Sequence, residues 1–67
     1  MTNQEILSTL QYLVGTRYVR TVKAYISEIT GRPLVVGPNE IVTKDFNPER
    51  VHIQADNAGV ITGFGFN

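Results

Sequence analysis

The side chains able to do chemistry in this 67-residue chain are few: one histidine (His52), two serines (Ser8 and Ser27), six carboxylates, six basic residues and no cysteine. A nucleophilic triad needs a base, an orienting carboxylate and an oxyanion hole around one pocket. The best set on offer is His52 with Asp45 or Asp56 and a serine, and both serines fall in segments of helical pattern. The chain is too short to enclose such a pocket readily, so no enzyme is expected. A metal site needs three or four converging ligands; a lone histidine and scattered carboxylates do not supply them, and neither metal nor cofactor is expected. The absence of cysteine removes thiolate catalysis, cysteine zinc sites and disulfides together. What remains is another pattern, in which Lys44 lies between Thr43 and Asp45, with Arg50 and His52 following two residues apart. On a strand that spacing projects Arg50 and His52 from one face, within reach of the underside of the segment carrying Lys44.

The elements that must position these residues can be read from periodicity. Thr2 and Glu5 stand at capping-box spacing ahead of Ile6, Leu7, Leu10, Leu13 and Val14, a short amphipathic helix that Gly15 ends. Thr16 is the expected cap of a longer helix from Arg17 to Ile29. There Val19, Val22, Ile26 and Ile29 form an apolar stripe, flanked by Tyr18 and Tyr25 and stopped by Gly31. Arg17, Arg20 and Lys23, three apart, read as its solvated surface. Leu34-Val35-Val36 reads as a short buried strand before Gly37-Pro38-Asn39. Arg50 to Ala55 alternates, with Val51, Ile53 and Ala55 facing the core and Arg50, His52 and Gln54 facing away. Asp56-Asn57-Ala58-Gly59 is a turn, and Val60 to Phe66 returns with Phe64 and Phe66 on one face. The fold class expected is α/β (α+β): one main helix and a short N-terminal helix on a small mixed three-stranded sheet. The Leu34 and Val51 strands run parallel, and the last two form a hairpin.

Between Val36 and Arg50 runs a stretch too long for a tight turn, bracketed by Pro38 and Pro48, whose middle is β-branched and extended. Loops of this length in small domains tend to carry function. Residues 1–67 are expected to form a single domain with an exposed loop at about 37–49. The formal net charge of zero supplies no field to gather nucleic acid or an anionic membrane, and neither is expected as a partner. No stretch approaches the ~20 apolar residues of a membrane span, and the opening Met1-Thr2-Asn3-Gln4-Glu5 has no basic leader pattern. A soluble monomer is expected, with its compartment, secreted or cytoplasmic, left open.

The run Ile41-Val42-Thr43-Lys44-Asp45-Phe46-Asn47-Pro48-Glu49-Arg50-Val51 resembles the loop and following strand of the potato inhibitor I family of eglin-like serine protease inhibitors. That family carries Val-Thr-Xaa-Asp/Glu followed by an Arg-Val pair at this distance. Leu13-Val14-Gly15 is similar to its Leu-Val-Gly opening. Val51-His52-Ile53-Gln54 resembles a related group of small microbial elastase inhibitors, which also have an extra N-terminal helix. Three positions depart from the pattern: His52 replaces a second supporting arginine, Asn47 replaces another, and the ending Gly63-Phe64-Gly65-Phe66-Asn67 lacks the proline common in plant members.

The resemblance implies inhibition by substrate mimicry. The reactive bond would be Lys44-Asp45, the protease-binding loop Ile41, Val42, Thr43, Lys44, Asp45, Phe46 and Asn47, and the loop support Arg50 and His52. Arg50 would hydrogen-bond Thr43 and Asp45 on either side of Lys44. His52, as a cation, would add a donor whose help fades as pH rises past neutrality. The partners implied are serine proteases, trypsin-like first because Lys44 suits a pocket with an aspartate at its base, and subtilisin-like second. Plainer alternatives stand beside these: Lys44 as an ordinary exposed lysine, and Arg50 as a surface partner of Glu49 or Asp56. A further alternative is a non-inhibitory interaction module using the Gly63–Phe66 edge or a helix face.

Overall fold

The computed structural model describes residues 1–43 and 45–67. Thr2 caps α1 (Asn3–Leu10): its hydroxyl accepts from the Glu5 amide at 3.1 Å, and the Glu5 carboxylate accepts from the Thr2 amide at 2.7 Å. This reciprocal box satisfies two of the donors that a helix start leaves unpaired. The Thr2 amide also holds the Glu5 carboxyl below its ordinary value. α1 buries Ile6 and Leu10 and runs on as one 3-10 turn, Gln11–Leu13, before Gly15.

The main helix is shorter than its pattern suggests. α2 spans Thr21–Thr30, so the expected start at Arg17 is corrected by four residues. Thr16 does not cap it; the Thr16 hydroxyl donates back to the Leu13 carbonyl at 2.6 Å. Residues 15–18 are instead drawn to the far end of the chain. Gly15 N–H donates to Ile61 O, Ile61 N–H to Thr16 O and Tyr18 N–H to Gly59 O, each at 2.8 Å, and Arg17 forms an antiparallel bridge with Val60. Backbone groups committed to that ladder are lost to a first helical turn. Val19 is therefore left 49% exposed, and the stripe of α2 reduces to Val22, Ile26 and Ile29. Gly31 ends the helix in the left-handed region at φ 73°, its amide donating to Ser27 O.

The sheet is mixed, in the order β1 (Val35–Val36), β2 (Val51–Ala55), β3 (Ile61–Phe66). β1 and β2 are parallel with Val35 opposite Val51, and β2 and β3 antiparallel with Ile53 opposite Phe64. Leu34 falls just outside β1 and is 47% exposed, although its carbonyl accepts from the Val51 amide at 3.0 Å. β3 begins at Ile61 because Val60 is taken up by the bridge to Arg17. At the hairpin turn the Asp56 carboxylate accepts from the Ala58 and Val60 amides. Ile6, Leu10, Ile26, Val51, Ile53 and Ile61 meet at the centre, none more than 3% exposed, with Phe64 and Phe66 half-buried against them. Parallel neighbours cannot be joined by a tight turn. The chain from Val36 to Val51 must cross from one end of the sheet to the other, and its described residues form no helix.

Candidate functional site

Both roots of that loop are locked by turns built on proline. At the first, Gly37 O accepts from the Glu40 amide at 3.3 Å across Pro38-Asn39, with Asn39 at φ 65°. Proline followed by an asparagine of positive φ is what a type II turn requires. A Cβ at residue 37 would stand 2.6 Å from the Tyr18 hydroxyl and 2.9 Å from the Glu40 carboxylate, so both side-chain ends would have to shift to admit one. Glu40 is also tied to α2, accepting from Lys23 Nζ at 2.8 and 2.9 Å. The Lys23 ammonium, followed by the Gly37 backbone, holds the Glu40 carboxyl below its ordinary value. At the second root, across Pro48, the Asn47 side chain accepts from the Glu49 amide and the Asn47 carbonyl from the Arg50 amide, each at 3.0 Å.

The span between the roots stands out from the body. Ile41 is 99% exposed and Phe46 71%, with Val42, Thr43 and Asp45 also exposed. Apolar side chains displayed this fully contribute nothing to the core. Lys44, the expected centre of the site, lies outside the described residues.

Arg50 lies beneath this span. It stands one residue before β2, its backbone fixed by the Asn47 turn on one side and by the Asn67 amide, which donates to Arg50 O at 3.4 Å, on the other. Only 8% of it is exposed. Its guanidinium donates to the Asp45 main-chain carbonyl at 2.8 Å and, at the long limit of 3.5 Å, to the Thr43 hydroxyl. The contact with Asp45 is to the carbonyl, which leaves the carboxylate outside this set. The guanidinium also grips the Asn67 main-chain oxygen twice, Nε at 3.0 Å and a terminal nitrogen at 2.7 Å. A planar fork of donors suits such divergent acceptors better than an ammonium would. No ion pair joins Arg50 to Glu49 or Asp56 among the described residues. His52, half-buried, places Nε2 at 3.3 Å from Arg50 Nε and 3.1 Å from Asn67 O. It touches Arg50 and the chain end, and no hydrogen bond joins it to a described loop residue.

The residues of the enzymatic alternative are dispersed. Ser27 Oγ donates to Arg32 O at 2.7 Å and Ser8 sits exposed on α1, while His52 is engaged as above. Among the described residues no three His, Cys, Asp or Glu side chains gather into a metal site, and no helix is long and apolar enough to cross a membrane.

Sequence reasoning missed several residues around the loop: Asn67, the Lys23–Glu40 pair, and Arg32 with Asn3. The Arg32 guanidinium donates to Glu49 O and Met1 O, each at 3.0 Å, and to Asn3 Oδ1 at 2.8 Å, while Asn3 Nδ2 donates to Pro48 O at 3.0 Å. These partners lie 17 to 45 residues apart in sequence, beyond the reach of periodicity. One signal was present: a cation between Gly31 and the apolar run from Leu34 stands where burial is expected and so demands acceptors.

No curated protein and no solved structure was found to match this chain. A family model does match, that of the peptidase inhibitor I78 family, over residues 7–64. The match takes in the second half of α1, all of α2, β1 and β2, β3 as far as Phe64, and the whole loop with Arg50 beneath it. The chain, a non-enzymatic inhibitor of peptidases, therefore belongs to the peptidase inhibitor I78 family.

Proposed function

We propose that the peptidases inhibited are serine proteases, and that inhibition is substrate-like, with the loop at about 37–49 of a single inhibitor domain offered to the active-site cleft and Lys44-Asp45 as the reactive bond. The observation that carries this reading is Arg50. A buried cation tied at once to Thr43, to the Asp45 carbonyl and to Asn67 has no role in the hydrophobic core, and its contacts lie on both sides of residue 44. A loop held in its bound shape loses little entropy on docking. If the bond is cut, the same contacts keep the new amine close to the acyl group, so religation competes with water.

Lys44 on such a loop suits the primary pocket of a trypsin-like protease, where a buried aspartate would pair with its ammonium. Subtilisin-like enzymes, which read the extended neighbours Ile41, Val42 and Thr43, are the second target. The resemblance to potato inhibitor I proteins in Val42-Thr43-Lys44-Asp45 and Arg50-Val51 supports the same choice, with Arg50 as main support and His52 acting through it. The test is to titrate fixed amounts of trypsin and of subtilisin with the purified protein. Stoichiometric loss of trypsin activity is expected, and unchanged rates with both enzymes would overturn the choice of trypsin-like and subtilisin-like serine proteases as targets.

A further inference from the structure

Arg32 is buried, 7% exposed, and all its hydrogen-bond acceptors among the described residues are neutral oxygens, with the Phe66 ring 5.9 Å from its guanidinium carbon. Its backbone is pinned before the side chain reaches anything. The Arg32 amide donates to Thr30 Oγ1 at 3.3 Å, and its carbonyl accepts from Ser27 Oγ at 2.7 Å. Burying a cation without a counter-charge is costly. An apolar residue would fill this place at less cost, and what it could not do is fasten three segments to one plane. Those segments are the end of α2, the start of the chain through Met1 and Asn3, and the outgoing root of the loop through Glu49. Asn3 completes the set, accepting from Arg32 and donating to Pro48 O.

We infer that Arg32 and Asn3 are positioning residues that hold the outgoing half of the loop, Asp45 to Glu49, against the N-terminal helix. The inference rests on the proposed function. After a cut between Lys44 and Asp45, that half keeps the Arg50 contact at Asp45 O and the Arg32 and Asn3 contacts at Glu49 O and Pro48 O. It is thus held at both ends. Religation requires the Asp45 amine nitrogen to attack the Lys44 acyl carbon. The ester bond to the protease serine breaks, and the amine's proton passes through the protease's histidine to the serine oxygen. The rate depends on how often the amine occupies the line of attack. Arg50 fixes the near end of the outgoing half, and the Arg32–Asn3 brace fixes the far end.

Two variants and two readouts test this. Asn3→Ala removes a half-buried side chain at the loop face of the brace and leaves the core untouched. Arg32→Lys keeps the charge and loses the fork. The first readout needs no protease: amide hydrogen exchange at Glu49 and Arg50, whose amides donate within the Asn47 turn. Each variant is expected to raise exchange there about tenfold at equal global stability by denaturant unfolding. The second readout starts from protein cleaved between Lys44 and Asp45 and follows, with catalytic trypsin, the recovery of the intact chain. Recovery about tenfold slower than wild type is expected. Unchanged exchange in both variants overturns the brace whether or not the protein inhibits any protease. Faster exchange with religation at the wild-type rate overturns its part in resealing. A wild type that inhibits neither trypsin nor subtilisin sinks the functional reading instead, and exchange then decides the brace alone.

Discussion

In the proposed mechanism, single side chains around the loop divide the work between bait and support. If Lys44 alone enters the primary pocket, Lys44→Leu should exchange targets, lowering trypsin inhibition by orders of magnitude and raising that of chymotrypsin. The buried-cation contact is lost with one enzyme and an apolar fit gained with the other. Equal inhibition constants before and after would remove Lys44 from the role. At the other root, the Glu40 carboxyl is held below its ordinary value of 4.5 by Lys23. A depressed value means that the ionised form is favoured by folding, so its stabilisation is present above pH 4.5 and is lost as pH falls through the lower folded value. Glu40→Gln should therefore melt below wild type at neutral pH, with the gap closing in acid and narrowing in high salt. A gap independent of pH would show that the pair does not act through charge. Arg50 was legible at this scale because its spacing from Thr43, Asp45 and His52 lies within one loop and one strand. Arg32, Asn3 and Asn67 were not, since each meets its partners only after the chain ends have folded back.

At the scale of elements, whatever depended on local pattern was readable. The Thr2–Glu5 box, the alternation of β2, the Asp56 turn and the parallel pairing all follow from residues close in sequence or from the length of the crossing. The start of α2 was not readable from Thr16 and Val19, because pairing of residues 15–18 with 59–61 competes with helix there and wins. That contest is decided by a strand more than 40 residues away. The opposite end of α2 is a local matter. Gly31 sits at φ 73° with open space where a Cβ would stand, so the cost of a side chain is conformational only. Gly31→Ala should destabilise the fold by about 1 kcal/mol, read as a lower urea midpoint at unchanged slope. A midpoint equal to wild type would mean that this cap does not limit α2. Arg32 follows directly on that cap, so the same variant should also raise amide exchange at Glu49.

For the whole molecule, a six-residue centre of Ile6, Leu10, Ile26, Val51, Ile53 and Ile61 must hold a body of 67 residues without a disulfide. A core of that size supplies no more than about 3–5 kcal/mol of net stability. Rigidity of the loop therefore cannot come from the bulk. It is assembled from fixed points: two proline turns, the Lys23–Glu40 pair, and two buried arginines that tie the loop to both ends of the chain. Removing Arg50 should break the most central of these. Each charge-assisted hydrogen bond of a partly desolvated guanidinium is worth about 1.5–3 kcal/mol. The loop should then move after acylation, and water should win over religation. The most direct measurement is mass spectrometry of the intact chain during incubation with catalytic trypsin, comparing wild type with Arg50→Ala under conditions where both are folded by circular dichroism. Slow cutting of wild type between Lys44 and Asp45, and cutting of Arg50→Ala at the same bond at least about tenfold faster, is the result predicted. Equal rates in two folded proteins, or a first cut at another bond, would contradict it.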